Sequence, residues 1–64
     1  MNKTEYDYLI LEAMSKYGGS FVQQLSKLVR VADTDNFAKL KVIFANYWEE
    51  YDAFLPESDR KSKV

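Results

Sequence analysis

The sequence predicts an all-α fold, a compact three-helix bundle with a long third helix. Three observations lead there. Apolar residues recur at spacings of three and four along three separate stretches. The stretches are divided by two strong punctuation marks, Gly18-Gly19 and Asp33-Thr34-Asp35-Asn36. No stretch sustains the period-two alternation of a half-buried strand. The expected organisation is one helical domain over 1–55, with helices at about 4–17, 20–32 and 35–55, followed by a charged tail at 56–64.

In the first segment Tyr6, Leu9, Ile10, Ala13, Met14 and Tyr17 fall on one helical face, while Tyr8 and Leu11 point away from it. Thr4 is the expected N-cap, with Glu5 and Asp7 placing negative charge in the first turn. Gly18 then ends the helix, as a residue able to take the left-handed C-cap conformation. Ser20 is the expected cap of the second helix, with Gln23 three residues on to complete a capping box. Its apolar stripe is Phe21, Val22, Leu25, Leu28, Val29 and Ala32. The Asp33–Asn36 cluster of turn and cap residues closes it.

In the third segment Phe37, Leu40, Phe44, Tyr47, Tyr51 and Phe54 are spaced 3, 4, 3, 4 and 3 apart, a continuous seam widened by Ile43, Trp48 and Leu55. Pro56 closes it, and the charged residues beyond have no periodicity and are expected in solvent. At about 1.5 Å per residue this helix reaches about 30 Å, against about 20 Å for each of the others. Its end should therefore overhang the Gly18-Gly19 corner with Trp48, Tyr51 and Phe54 on it. Either Tyr17 and Phe21 fold over the corner to cover these rings, or a second copy or another protein does. Exchange of the second and third helices between protomers is an alternative arrangement. Small residues away from the seam (Ala38, Val42, Ala45, Ala53) also suit close helix approach.

Composition narrows the chemistry. Among 64 residues there is no cysteine and no histidine, so disulfides, a thiolate nucleophile, a structural zinc site and a ready general base near neutral pH have no candidates. Ser15, Ser20 and Ser26 have no histidine to activate them, and Glu49/Asp52 lie on an expected solvent-facing side. Gly18-Gly19-Ser20 lacks the preceding strand and following lysine of a phosphate loop, and the Asp33–Asn36 acids lack the glycine and glutamate of a calcium loop. No enzyme, cofactor or metal is expected. No apolar run approaches the roughly 20 residues of a membrane span, and no signal-peptide core opens the chain, so the expected location is cytoplasmic.

The net charge of −1 disfavours a strongly basic nucleic-acid binder, although charge is segregated. Lys27, Arg30, Lys39 and Lys41 precede an acidic stretch holding Glu49, Glu50, Asp52, Glu57 and Asp59. Those four bases define an alternative nucleic-acid face, with helices two and three as a helix-turn-helix unit. A further alternative is a small anionic nucleotide held between protomers by the helix N-termini at Ser20 and Asp35.

The string Tyr17-Gly18-Gly19-Ser20-Phe21-Val22, with Leu25, Ala32-Asp33, Asn36-Phe37, Lys39-Leu40-Lys41, Phe44 and Tyr47-Trp48-Glu49-Glu50-Tyr51, resembles small proteins of tailed phages and prophages. The Gly-Gly-Ser-Phe-Val corner and the Tyr-Trp-x-x-Tyr end are its most specific parts, and the likeness spans about half the chain. It implies a setting inside an infected or lysogenic bacterium and action by stoichiometric binding to a host enzyme or defence system. It brings no catalytic site. The leading expectation is a non-enzymatic, homo-oligomeric interaction protein that binds a bacterial protein through Phe44, Tyr47, Trp48, Tyr51 and Phe54.

Overall fold

A computed structural model describes residues 3–61. In order these form α1 (Glu5–Tyr17), α2 (Ser20–Val31), α3 (Thr34–Ile43), α4 (Ala45–Asp52) and a single 3₁₀ turn (Glu57–Asp59). Every regular element among the described residues is helical, and none of the helices is long and apolar enough to cross a membrane.

Thr4 caps α1 in a reciprocal box. Its hydroxyl accepts the Asp7 N–H at 3.2 Å, and the Asp7 carboxylate accepts the Thr4 N–H at 2.8 Å. The buried face is wider than one stripe, because α1 is covered by α2 on one side and by α4 on the other. Leu11, expected to point outward, is fully buried with Ile10 and Met14, while Tyr8 is exposed.

The α1–α2 corner differs from expectation in its reason for glycine. Gly18 is extended, with φ −81° and ψ 159°, so no left-handed residue is needed. What excludes a side chain is proximity: a Cβ on Gly18 would lie 2.5 Å from both the Met14 carbonyl and Val22 Cγ1. The cap of α2 is Gly19 rather than Ser20, it carries no side-chain bond, and the Gln23 amide reaches back to the Gly18 carbonyl at 2.9 Å. Gly18→Ala is therefore expected to lower stability by about 1–3 kcal/mol. Gly19→Ser should raise it by about 0.5–1 kcal/mol, because a Cβ there meets nothing within 4 Å and the hydroxyl supplies the missing cap. Urea titrations of the two variants check this, and a Gly18→Ala protein as stable as its parent would show that the corner yields.

On α2 the core takes Val22, Leu25, Ser26 and Val29, leaving Phe21 and Leu28 outside. Ser26 is buried by sharing a 2.6 Å hydrogen bond with Ser15 and donating to the Gln23 carbonyl, which lets the two helices approach closely. Lys3 donates to the Ala32 carbonyl at 2.6 Å, a cation at the negative end of α2. Asp33 caps α3 by accepting the Asn36 N–H at 2.8 Å.

The single long third helix is not present. The helix is interrupted at Phe44 (φ −108°, ψ 26°), where the Tyr47 N–H donates to the Phe44 carbonyl three residues back, and α4 begins at Ala45. The break replaces the expected overhang. Phe44 packs beside Phe21 at the start of α2, whereas α4 crosses α1 and carries Trp48 and Asp52 to Asp7 and Tyr6 at the start of α1. Val42, Ile43, Phe44 and Asn46 all have low helix propensity, so interrupting the helix there costs little.

Residues 56–59 and Lys61 of the tail are exposed, as expected, but the tail is also tied to the bundle. Arg60 donates to the carbonyls of Leu55 and Ala53 at 2.8 and 2.9 Å, closing the end of the last helix. The Lys61 N–H donates to Asp52 at 2.9 Å, and its ammonium sits 4.5 Å from the centre of the Tyr6 ring. Leu55 is buried beneath this turn. Residues 62–64 of the expected solvated tail lie outside the described residues.

Candidate interaction surface

Two buried carboxylates on facing helices fix the position of α4. Asp7 is fully buried and accepts from Lys41 Nζ at 2.8 Å and Trp48 Nε1 at 3.0 Å through Oδ1, and from the Thr4 N–H and hydroxyl through Oδ2. Burial pushes the Asp7 carboxyl up, but the hydrogen bonds from Lys41, Thr4 and Trp48 outweigh it, and the group lies below its ordinary value. Asp52 accepts the Tyr6 hydroxyl at 2.6 Å. The Tyr6 phenol is driven well above its ordinary value, by burial first and then by its bond to Asp52. Asp52, expected on the solvent-facing side with Glu49, is therefore an interior group.

With α4 so placed, six rings form a continuous ladder across the corner. Phe21 lies 6.1 Å from Phe44 and 6.3 Å from Tyr47, and Phe44 lies 6.0 Å from Tyr47. Tyr47 continues to Tyr51 at 6.5 Å, Tyr51 to Phe54 at 5.3 Å, and Phe54 stacks on Tyr17 at 4.9 Å with 14° between the planes. Both rings of this terminal stack remain about half exposed, Tyr17 at 55% and Phe54 at 50%. Tyr51, in the middle of the ladder, is buried, and that burial, assisted by Glu50 and Tyr47, raises its phenol. Beside the stack lies an open groove of about 480 Å³, floored by Leu9, Ala13, Leu55 and Pro56 and rimmed by Glu12, Lys16 and Asp59.

The five aromatic residues assigned to association are thus brought together but not equally presented. Trp48 and Tyr51 belong to the core, Phe44 and Tyr47 are half-buried, and Phe54 stands out with Tyr17. Of the two residues expected to fold over Trp48, Tyr51 and Phe54, Tyr17 stacks on Phe54, whereas Phe21 packs on Phe44 and Tyr47 instead and remains exposed itself.

The four basic residues do not act as one face. Lys27, Arg30 and Lys39 are exposed, but Lys41 is drawn inward to Asp7 and lies over the Phe37 and Trp48 rings at 5.7 and 5.9 Å. The anion site expected at the start of the third helix is likewise engaged, since the Asp33 carboxylate already takes the Asn36 N–H. No group of three or more metal-capable side chains occurs among the described residues.

Asp52 is the residue that sequence reasoning misplaced, and Asp7, found in the first turn of α1 as expected, is the one whose tertiary role it missed. The Thr4-x-x-Asp7 spacing marks a capping box, but nothing local announces that its carboxylate also serves residues 34 and 41 positions away. No protein-family model matches the chain, and no curated protein or solved structure is similar enough to match it.

Proposed function

We propose that this chain is a small non-enzymatic interaction protein that binds a bacterial protein, of the host or of a defence system, and modulates it. The observation that supports this most is the Tyr17–Phe54 stack. Two half-exposed rings stand at the end of a ladder whose inner members are anchored in the core. Preorganised rings contribute large contact area with little entropy left to lose, which is how aromatic residues come to dominate interface energetics. The adjoining groove supplies an apolar floor and a charged rim, the layout of an interface centre and its edge. Phe44 and Tyr47 add their exposed edges, while Trp48 and Tyr51 hold the platform from within. The resemblance to small phage proteins supplies the setting, the cytoplasm of a bacterial host.

The test compares three tagged proteins on nuclease-treated bacterial lysate: the parent, Phe54→Lys, and Lys27→Glu with Arg30→Glu. The expected result is one stoichiometric partner that the parent and the charge-reversed protein retain and that Phe54→Lys loses by tenfold or more, about 1.4 kcal/mol. Binding that disappears with nuclease or with the charge reversal would replace this reading by a nucleic-acid one. A partner held equally by all three would remove Phe54 from the interface.

A further inference from the structure

Away from the Tyr17–Phe54 end, α2 and α3 leave a second apolar surface. On α2, Phe21, Gln24, Leu28 and Val31 form an outward stripe at spacings of three and four, beside the inward Val22–Leu25–Val29 stripe. Three shallow depressions run along it and share lining residues. The first holds Phe21, Leu25, Leu28 and Phe44; the second joins it through Leu28 and adds Val31, Ala32 and Leu40; the third joins that through Lys39 and ends at Ala38, Val42 and Ile43. The surface is therefore contiguous. Phe21, Leu28, Val31, Val42 and Ile43 are between 52% and 81% exposed, although four of them are aliphatic or β-branched residues with no polar group to offer water.

We infer that this α2–α3 face is where a second copy of the chain docks, as an isologous dimer. The first ground is area. At about 100 Å² each, the five partly exposed side chains present about 500 Å² of apolar surface. That is at the upper end of what an ordinary monomer leaves in one patch, about 300–600 Å². A standard interface takes about 800 Å² from each partner, of which somewhat more than half is apolar. The face therefore already holds the apolar content of one complete half-interface.

The second ground is charge. Across all three depressions the only charged lining residues are one acid, Asp33, and one base, Lys39. A two-fold axis brings a surface against itself, so a rim of one sign would repel its own copy. A rim with one charge of each sign is self-complementary: Lys39 of each copy can face Asp33 of the other. Nucleic acid or an anionic membrane would call for a wholly basic rim, whereas here Asp33 stands beside Lys39 and the exposed Lys27. The location of self-association is thus α2–α3, a face that shares Phe21 and Phe44 with the inner end of the aromatic ladder but leaves Tyr17 and Phe54 free for a different partner.

Sedimentation equilibrium over roughly 1–500 µM is the test, a span that detects dimers held by about 4.5–8 kcal/mol. The mass should rise from the 7.5 kDa of one chain to twice that value. Leu28→Lys and Ile43→Lys, both at exposed positions whose helicity is checked by circular dichroism, should weaken the dimer by tenfold or more. Lys39→Asp, which sets acid against acid, should weaken it in a way that added salt partly restores. Phe54→Lys should leave it unchanged, so that loss of the partner and loss of the dimer are separable. A monomer throughout, a dimer that Leu28→Lys leaves intact, or one that Phe54→Lys disrupts as much, overturns the inference.

Discussion

Replacing Asp7 by alanine is expected to unfold the protein. The carboxylate is fully buried, and its removal leaves Lys41 Nζ, Trp48 Nε1 and the Thr4 N–H without their acceptor at once. Breaking a buried ion pair from one side costs about 3–5 kcal/mol, and a core of this size rarely supplies more than about 3–5 kcal/mol in total. Lys41→Met should cost less, because Lys41 is partly exposed and Asp7 keeps its bonds from Trp48 and Thr4. Chemical denaturation followed by far-ultraviolet circular dichroism decides the matter, and an Asp7→Ala protein within about 1 kcal/mol of its parent would show that water replaces the lost acceptor.

The same carboxylate sets the response to acid. Its folded value lies below its unfolded one, so its stabilisation is complete above about pH 4 and is lost as pH falls through the lowered value. Tyr6 acts in the opposite sense. Its phenol is raised, so its contribution is complete below about pH 10 and is lost as pH climbs towards the folded value. With no histidine or cysteine, melting temperature should be nearly flat between about pH 5 and 9. Asp7→Asn should remove much of the acid limb and Tyr6→Phe part of the alkaline one; an acid limb unchanged in a folded Asp7→Asn protein would assign it to other carboxylates.

Trp48→Ala should be equally severe, for a different reason. The ring is almost wholly buried between Phe37 and the start of α1, and truncating such a residue costs about 3–5 kcal/mol through lost transfer energy and the cavity left behind. Trp48→Phe separates packing from polarity. It keeps most of the apolar volume but removes the Nε1 donor to Asp7, and should cost about 1–3 kcal/mol. Combined with Asp7→Asn it should cost less than the sum of the two single changes, because both act on one bond. Strict additivity in that cycle would mean that the indole and the carboxylate do not stabilise one another. A Trp48→Ala protein of native stability that had lost only its partner would return Trp48 to the surface.

Helical class, the first two helices and both connections were legible, because local periodicity and punctuation determine them. The break at Phe44 was not. The 3–4 spacing from Phe37 to Phe54 preserves the phase of the seam whether the helix is continuous or interrupted, and the contacts that fix α4 lie 41 and 46 residues away in sequence. The low propensities around Val42–Asn46 were the one available signal. The aromatic residues of the surface were legible as a set, but not their order from inside to outside. Trp48 is drawn inward by Asp7, whereas Tyr17 and Phe54 stack on each other and stay about half exposed. Gly18 shows a similar limit: the residue type was informative, but close packing against Met14 and Val22, a tertiary fact, is what requires it.

The buried pairs joining α1 to α4 also bear on how the chain comes to be folded during synthesis. Asp7 and Tyr6 both lie in α1, and their partners Lys41, Trp48 and Asp52 are made 34 to 46 residues later. Until those arrive, an α1–α2 hairpin has nothing beyond Thr4 to bond the Asp7 carboxylate and nothing to bond the Tyr6 phenol, because their other partners belong to α3 and α4. The face of α1 that carries them should therefore stay open on the ribosome until α4 emerges, so that a prematurely terminated product lacks the buried pairs that close the bundle.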